Sequence, residues 1–299
     1  MLEVVEPGLL TTVQDAGRDA ALDLGVPVSG ACDPWSLAVA NVLVGNEPTA
    51  AALEMTVLGA TLRVLEDVLV GVAGAAMDGG PPPWRSHLLR KGEVVSFGGS
   101  DGAARTYVAV PGGVDVPVVL GSRSTCLVGV FGGMGGRALQ VGDVVRPASA
   151  AQRSARSWPA PVAPLSPPVV RLVRGPQSDG FNALVGTDWE VSIRSNRQGI
   201  RLEGPPLPGN SGAMVSRPVT WGTIQLPPDG RPIVLLADAQ TVGGYPVVAV
   251  AISADRPVIG QLAPMDTVRF VEVSLARAQQ ALREHATNFE RLRAQMRAI

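Results

Sequence analysis

Apolar and polar positions along this chain alternate in short runs, interrupted roughly every eight to twelve residues by glycine or proline. The clearest runs are LRVLEDVLVGVAG (62–74), RTYVAVPGGV (105–114), PPVVRLVRG (167–175), PIVLLADAQ (232–240), YPVVAVAIS (245–253) and DTVRFVEVS (266–274). Short segments rich in β-branched residues predict a barrel or sandwich rather than βαβ units. A turn leading into an apolar alternation recurs at 91–97, 141–147 and 265–270, in agreement with two similar β units.

Two stretches depart from this pattern. Asp33 and Pro34 open WSLAVANVLVG with a cap residue, proline at the first helical position and a terminal Gly45, which predicts a helix. Its apolar residues wrap most of the circumference, so it should be buried against the first β unit. From Ser274 onward, Leu275, Ala278, Leu282, His285, Phe289, Leu292, Met296 and Ile299 keep a three-four spacing. That predicts an amphipathic helix of about 24 residues, packed on its own barrel or meeting a partner. The stretch from Ala148 to Pro168 is dense in Ala, Ser and Pro and reads as an extended connector. The expected organisation is a first barrel over 1–147, a linker over 148–168, a second barrel over 169–273 and a helix over 274–299.

Composition narrows the function classes. The formal net charge is -1 and no basic run stands out, which argues against nucleic acid or an acidic membrane surface as partner. No run of about 18 apolar residues could span a bilayer, and the start has no basic, then apolar, secretory pattern. Cys32 and Cys126 lack metal or redox spacing and read as small buried side chains of a cytoplasmic protein. Lys91 is the only lysine. It has no methionine neighbours, as a biotin carrier would, and no Gly-Lys-Ser/Thr phosphate loop exists. With only His87 and His285 available, proton transfer falls to carboxylates, substrate or cofactor.

Three polar clusters interrupt the apolar pattern. In the first, Gln14, Asp15, Arg18, Ser29 and Asp33 are flanked by small residues that let backbone approach a ligand. Arg18 could hold a carboxylate or phosphate bidentately, and Asp33 is either a helix cap alone or a cap with a further role. The second offers Ser122, Arg123 and Ser124 after Gly121, read as an anion site or a solvated hairpin loop. The third holds Arg197, Gln225, Asp238, Gln240, Gly243, Gly244 and Tyr245. Asp229, inside Pro-Asp-Gly, reads as a turn residue, whereas Asp238 and Gln240 follow an apolar strand and are expected to face a cleft.

The strings TTVQDAGR, LGVPVSGACD, ALEMTVLG, VPGGVDVPVVLGSRST, SNRQGIRLEG, PPDGRPIVLLADAQTVGGYP and ISADRPVIGQL resemble the allophanate hydrolase subunit 2 family, in order from about Glu3 to Phe270. That family includes the C-type subunit of 5-oxoprolinase, the Kip antagonist and a segment of urea carboxylase. The resemblance implies a mainly β fold of two tandem cyclophilin-like barrels. It also implies a subunit 1 (B-type) partner, joined by an A-type protein, which completes a pocket begun by the polar loops. The activity implied is ATP-dependent opening of a lactam, 5-oxoproline, to glutamate, with ATP and Mg engaged through the complex. Two alternatives are carboxyl transfer from carboxybiotin carried by another chain, and non-enzymatic regulation by binding the partner. Carry-over places Asp33, Arg18 and Asp238 in catalytic roles and the other cluster residues named above in substrate binding; no metal ligand is implied. Departures are Cys32 where relatives carry Met, Arg217 where they carry Glu, and Ala239 where they carry Arg.

Overall fold

The computed structural model describes residues 1–149, 156–159, 167–208 and 214–298. The chain divides into two compact units: Met1–Ala20, Ser29–Pro161 and Glu290–Ile299 form unit 1, and Ala21–Val28 with Val162–Phe289 form unit 2.

In unit 1 the strands are β1 (Leu2–Glu6), β2 (Leu10–Gln14), β3 (Ala52–Thr56), β4 (Thr61–Val64), β5 (Val68–Gly74), β6 (Arg85–Leu89), β7 (Val94–Ser96), β8 (Arg105–Ala109), β9 (Val144–Val145) and β10 (Arg156–Ser157). They form a four-stranded sheet, β7-β4-β1-β9, and a larger sheet running β2-β3-β8-β5-β6-β10. The run predicted over 62–74 is two strands, because Leu65, Glu66 and Asp67 turn the chain between β4 and β5. An aliphatic core including Leu2, Val13, Leu53, Met55, Leu62, Val70 and Val108 is fully buried.

The predicted helix spans Pro34–Leu43 and buries Leu37, Val39, Val42 and Leu43. Each contributes on the order of 1.5–3 kcal/mol by leaving water. Asp33 caps its N-terminus by accepting from the Ser36 amide. Gly71 of β5 lets the helix come close, since a Cβ there would collide with the Ala40 carbonyl.

In unit 2, β11 (Val169–Arg174), β12 (Asp188–Val191), β13 (Gly199–Glu203), β15 (Thr223–Gln225), β16 (Ile233–Leu235), β18 (Val247–Ala251) and β19 (Thr267–Glu272) close into a barrel in the order β11-β18-β15-β16-β13-β12-β19. All pairings are antiparallel except β11 with β19, which seals the ring. Val170, Leu172, Trp189, Val191, Val268 and Phe270 are buried. A two-stranded ribbon, β14 (Arg217–Pro218) with β17 (Val242–Gly243), stands apart from the ring. The mainly β architecture expected from the alternation is therefore what forms.

Three expectations need correction. The C-terminal helix spans Leu275–Ala294 and gives way to β20 (Arg297–Ala298), which pairs with β10. Its less exposed side keeps Ala278, His285, Phe289 and Leu292 of the expected seam, but Ala281, outside that seam, is the buried residue and packs with Ile252 and Ala254, while Leu275 and Leu282 are exposed. Finally, within the expected connector residues 156–159 hold β10, which also pairs with β6, and a buried Trp158; residues 150–155 and 160–166 lie outside the described residues.

Candidate functional site

In unit 1, β2 ends at Gln14 and delivers Asp15 to the 119–125 loop. Asp15 Oδ1 accepts from the Ser122 hydroxyl (2.6 Å), the Ser124 hydroxyl (2.5 Å) and the Gly17 amide (2.8 Å), and Oδ2 from the Arg123 amide (2.6 Å). One carboxylate thus gathers four donors, satisfying loop groups that would otherwise lose water without a partner. The expectation that Ser122 and Ser124 offer free hydroxyls to an anion does not hold here, because Asp15 already takes them.

Arg18 is 2 % exposed. Its guanidinium donates to the Ser124 carbonyl and, at 3.5 Å, to the Val119 carbonyl, and lies 4.9 Å from the centre of the Phe131 ring. In this conformation it ties loop backbone together instead of facing a solvent anion. Arg123 differs: its Nε donates to the Val116 carbonyl at 3.0 Å, while the side chain stays half-buried and the rest of the guanidinium makes no hydrogen bond among the described residues.

The segment 29–33 lies against 15–17. Ala31 donates its amide to the Asp15 carbonyl (3.0 Å). Gly30, at φ +82°, fits where a Cβ would sit 2.8 Å from the Gly17 nitrogen. Ser29 has a left-handed φ of 55° without being glycine, and its buried hydroxyl has no hydrogen-bond partner. Gln14 donates to the Thr12 hydroxyl and the Thr125 carbonyl, which leaves its Oε1 a buried acceptor without a donor. The carboxylate of Asp33 is buried and accepts from the Ser36 amide (3.0 Å) and hydroxyl (2.5 Å).

In unit 2, Arg197 and Asp238 form a buried ion pair. The Asp238 amide also donates to the Arg197 carbonyl (2.9 Å), so backbone and side chains lock together. Asp238 therefore does not face a cleft, because the strand end turns it inward against β13's approach loop. Gln225 is buried on β15; its Oε1 accepts from the exposed Gln240 (3.2 Å), and its Nε2 has no partner. Gly243 sits on that amide so closely that a Cβ would collide with Nε2. Tyr245 is 44 % exposed beside Gly244. Asp229 accepts from the Arg231 amide, the turn role predicted for it.

The structure thus brings Asp15, Arg18, Ser122, Arg123 and Ser124 into one cluster, and Gln225, Gln240 and Gly243 into another. Sequence reasoning missed Glu54 and Tyr107, both fully buried, whose hydrogen bonds reach Cys32 and Asp33. The one visible signal was a carboxylate inside the apolar run ALEMT.

A magnesium-bound triphosphate needs free carboxylates for the metal and free cations for the phosphates. Asp15, Asp33 and Asp238 are each saturated by protein donors, Arg18 and Arg197 are committed within the protein, and among the described residues no group of three or more His, Cys, Asp or Glu could hold a metal. Among the described residues, these clusters do not fit that group. No helix among the described residues is long and apolar enough to cross a membrane.

Comparison with known proteins adds extent to these observations. Residues 24–272 match the model of the carboxyltransferase domain, subdomain A and B. The chain is 34% identical to the C-type subunit of 5-oxoprolinase from Escherichia coli (strain K12), over 98% of this chain and 97% of that protein. A crystal structure of TTHA0988 superposes with a TM-score of 0.83 at 37% identity, covering 90% of this chain and 55% of that one. The K. lactis urea amidolyase structure gives 0.85 at 29% identity, covering 97% of this chain and 20% of that chain. Against these two solved structures, the chain spans about half and one fifth of the length.

Proposed function

This chain belongs to the carboxyltransferase domain family, and from that membership we propose that it is one component of a multi-subunit 5-oxoprolinase, acting on a small cyclic amide. The observation that carries the reading is coextension. The match to the E. coli 5-oxoprolinase component runs through nearly the whole of both chains, whereas the urea amidolyase structure is covered only to 20%.

A lactam resists hydrolysis because amide resonance stabilises it, so its opening calls for ATP. Since the clusters of this chain do not fit a metal-bound triphosphate, nucleotide and magnesium belong on the partner proteins, of B and A type. Here the chain's own residues have two duties. Asp15, Arg18, Asp33, Arg197 and Asp238 hold the loops in register from buried positions. Arg123, Gln240 and Tyr245 reach the surface, each within its own unit, and are the groups offered to substrate: Arg123 suits a carboxylate, and Gln240 can hydrogen-bond an amide. A location in the cytoplasm, where glutamate metabolism has its ATP, agrees with this assignment.

Carboxyl transfer from carboxybiotin is the second reading, favoured by the TM-score of 0.85 to urea amidolyase. It requires a carrier on another chain, because Lys91, the only lysine, sits in a plain turn with its amide on Asp67. The test is reconstitution of this chain with its B- and A-type partners and ATP. The proposal expects 5-oxoproline to stimulate ATP hydrolysis and this chain alone to turn nothing over; a complete complex unmoved by 5-oxoproline would discard it.

A further inference from the structure

We infer that Glu54 and Tyr107 are positioning residues, a buried carboxylate–phenol pair that sets the backbone of residues 29–33 for the unit 1 site. The inference rests on the reading of that cluster as part of a substrate site.

Glu54 on β3 and Tyr107 on β8 are direct cross-strand partners. The Tyr107 hydroxyl donates to Glu54 Oε2 at 2.6 Å and accepts from the Asp33 amide at 2.8 Å. The Cys32 amide donates to the same Glu54 oxygen at 2.9 Å, and Arg105 Nε lies 3.7 Å from the other. Glu54 and Tyr107 are 1 % and 0 % exposed. Burying a carboxylate is costly, and an apolar pair of like volume would serve the sheet at least as well. What the polar pair adds is location.

Two consecutive amides, of residues 32 and 33, are fixed by this pair, and a third, of Ala31, by the Asp15 carbonyl. Those three anchors follow closely on Ser29, whose left-handed backbone persists only because its surroundings over-determine it. The same Asp15 gathers Ser122, Arg123 and Ser124. Glu54 and Tyr107 thereby connect the sheet interior to the loop that carries Arg123. Burial, with the neighbouring Glu54 charge next in size, pushes the Tyr107 phenol well above the ordinary tyrosine value, so it stays a proton donor throughout the neutral range.

The test compares Tyr107→Phe and Glu54→Gln with Val108→Ala, a core truncation on the same strand, all as full chains in the reconstituted complex. Amide exchange and steady-state kinetics with 5-oxoproline are both measured. Tyr107→Phe is expected to speed exchange at residues 29–33 and to raise KM about tenfold, the scale of one hydrogen bond, with kcat little changed. Glu54→Gln, which keeps an acceptor, should have a smaller effect, and Val108→Ala should lower stability without moving KM. Unchanged exchange at 29–33 in Tyr107→Phe, or an equal KM rise in Val108→Ala, overturns the inference. If the wild-type complex ignores 5-oxoproline, the proposed function fails and the exchange result alone decides the positioning role.

Discussion

Arg197 Nε and Asp238 Oδ2 meet at 2.9 Å, with a second contact of 3.3 Å, between side chains only 2 % and 1 % exposed. Removing one member strands the other charge, buried where the turns before β13 and after β16 meet. Asp238→Ala should cost about 3–5 kcal/mol, seen as a lower denaturant midpoint for unit 2, and Asp238→Asn, which keeps an acceptor, less.

Asp15 organises unit 1 through four donors rather than one counter-ion. Asp15→Ala leaves those donors unsatisfied and should cost about 2–4 kcal/mol. Limited proteolysis is then expected to cut within 119–125 faster in Asp15→Ala than in the parent.

Val130 is 70 % exposed and holds φ +55°, a conformation β-branched side chains rarely adopt. Little packing is lost if it is replaced. Val130→Gly should stabilise the chain by about 1 kcal/mol, read from thermal unfolding, with turnover unchanged.

Tyr107 gives an alkaline signature. Its folded pKa lies above the unfolded value of about 10, so its contribution to stability is complete below that pH and is lost as pH rises toward the folded value. Phenolate absorbance from this residue should appear only as the fold is lost, and that late phase should vanish in Tyr107→Phe.

Much of the fold was legible because its determinants are local. The cap Asp33, Pro34 and the apolar helix after them sit within a dozen residues, and turn glycines bound most strands. Long-range pairings were not legible. Glu54 and Tyr107 meet across 53 positions, and nothing local distinguishes a buried glutamate from one on a solvated strand face. β10 is two residues long and exists only through its pairings with β6 and β20. The 274–299 spacing revealed a helix and most of its less exposed side, Ala278, His285, Phe289 and Leu292, but not Ala281, the residue it buries most deeply, nor the exposure of Leu275 and Leu282. For the site, residue types were readable from the clusters. Which of them are saturated, such as Asp15 and Asp238, and which reach the surface, such as Arg123 and Tyr245, depends on partners brought together only by the fold.

The most direct measurement follows glutamate and inorganic phosphate together in the reconstituted complex, with this chain present, absent, or carrying Arg123→Ala. The account predicts that both products form from 5-oxoproline and ATP only when this chain is present, and that Arg123→Ala lowers kcat/KM about tenfold or more, as loss of a charged contact should. Equal glutamate production by the partner proteins without this chain would contradict it.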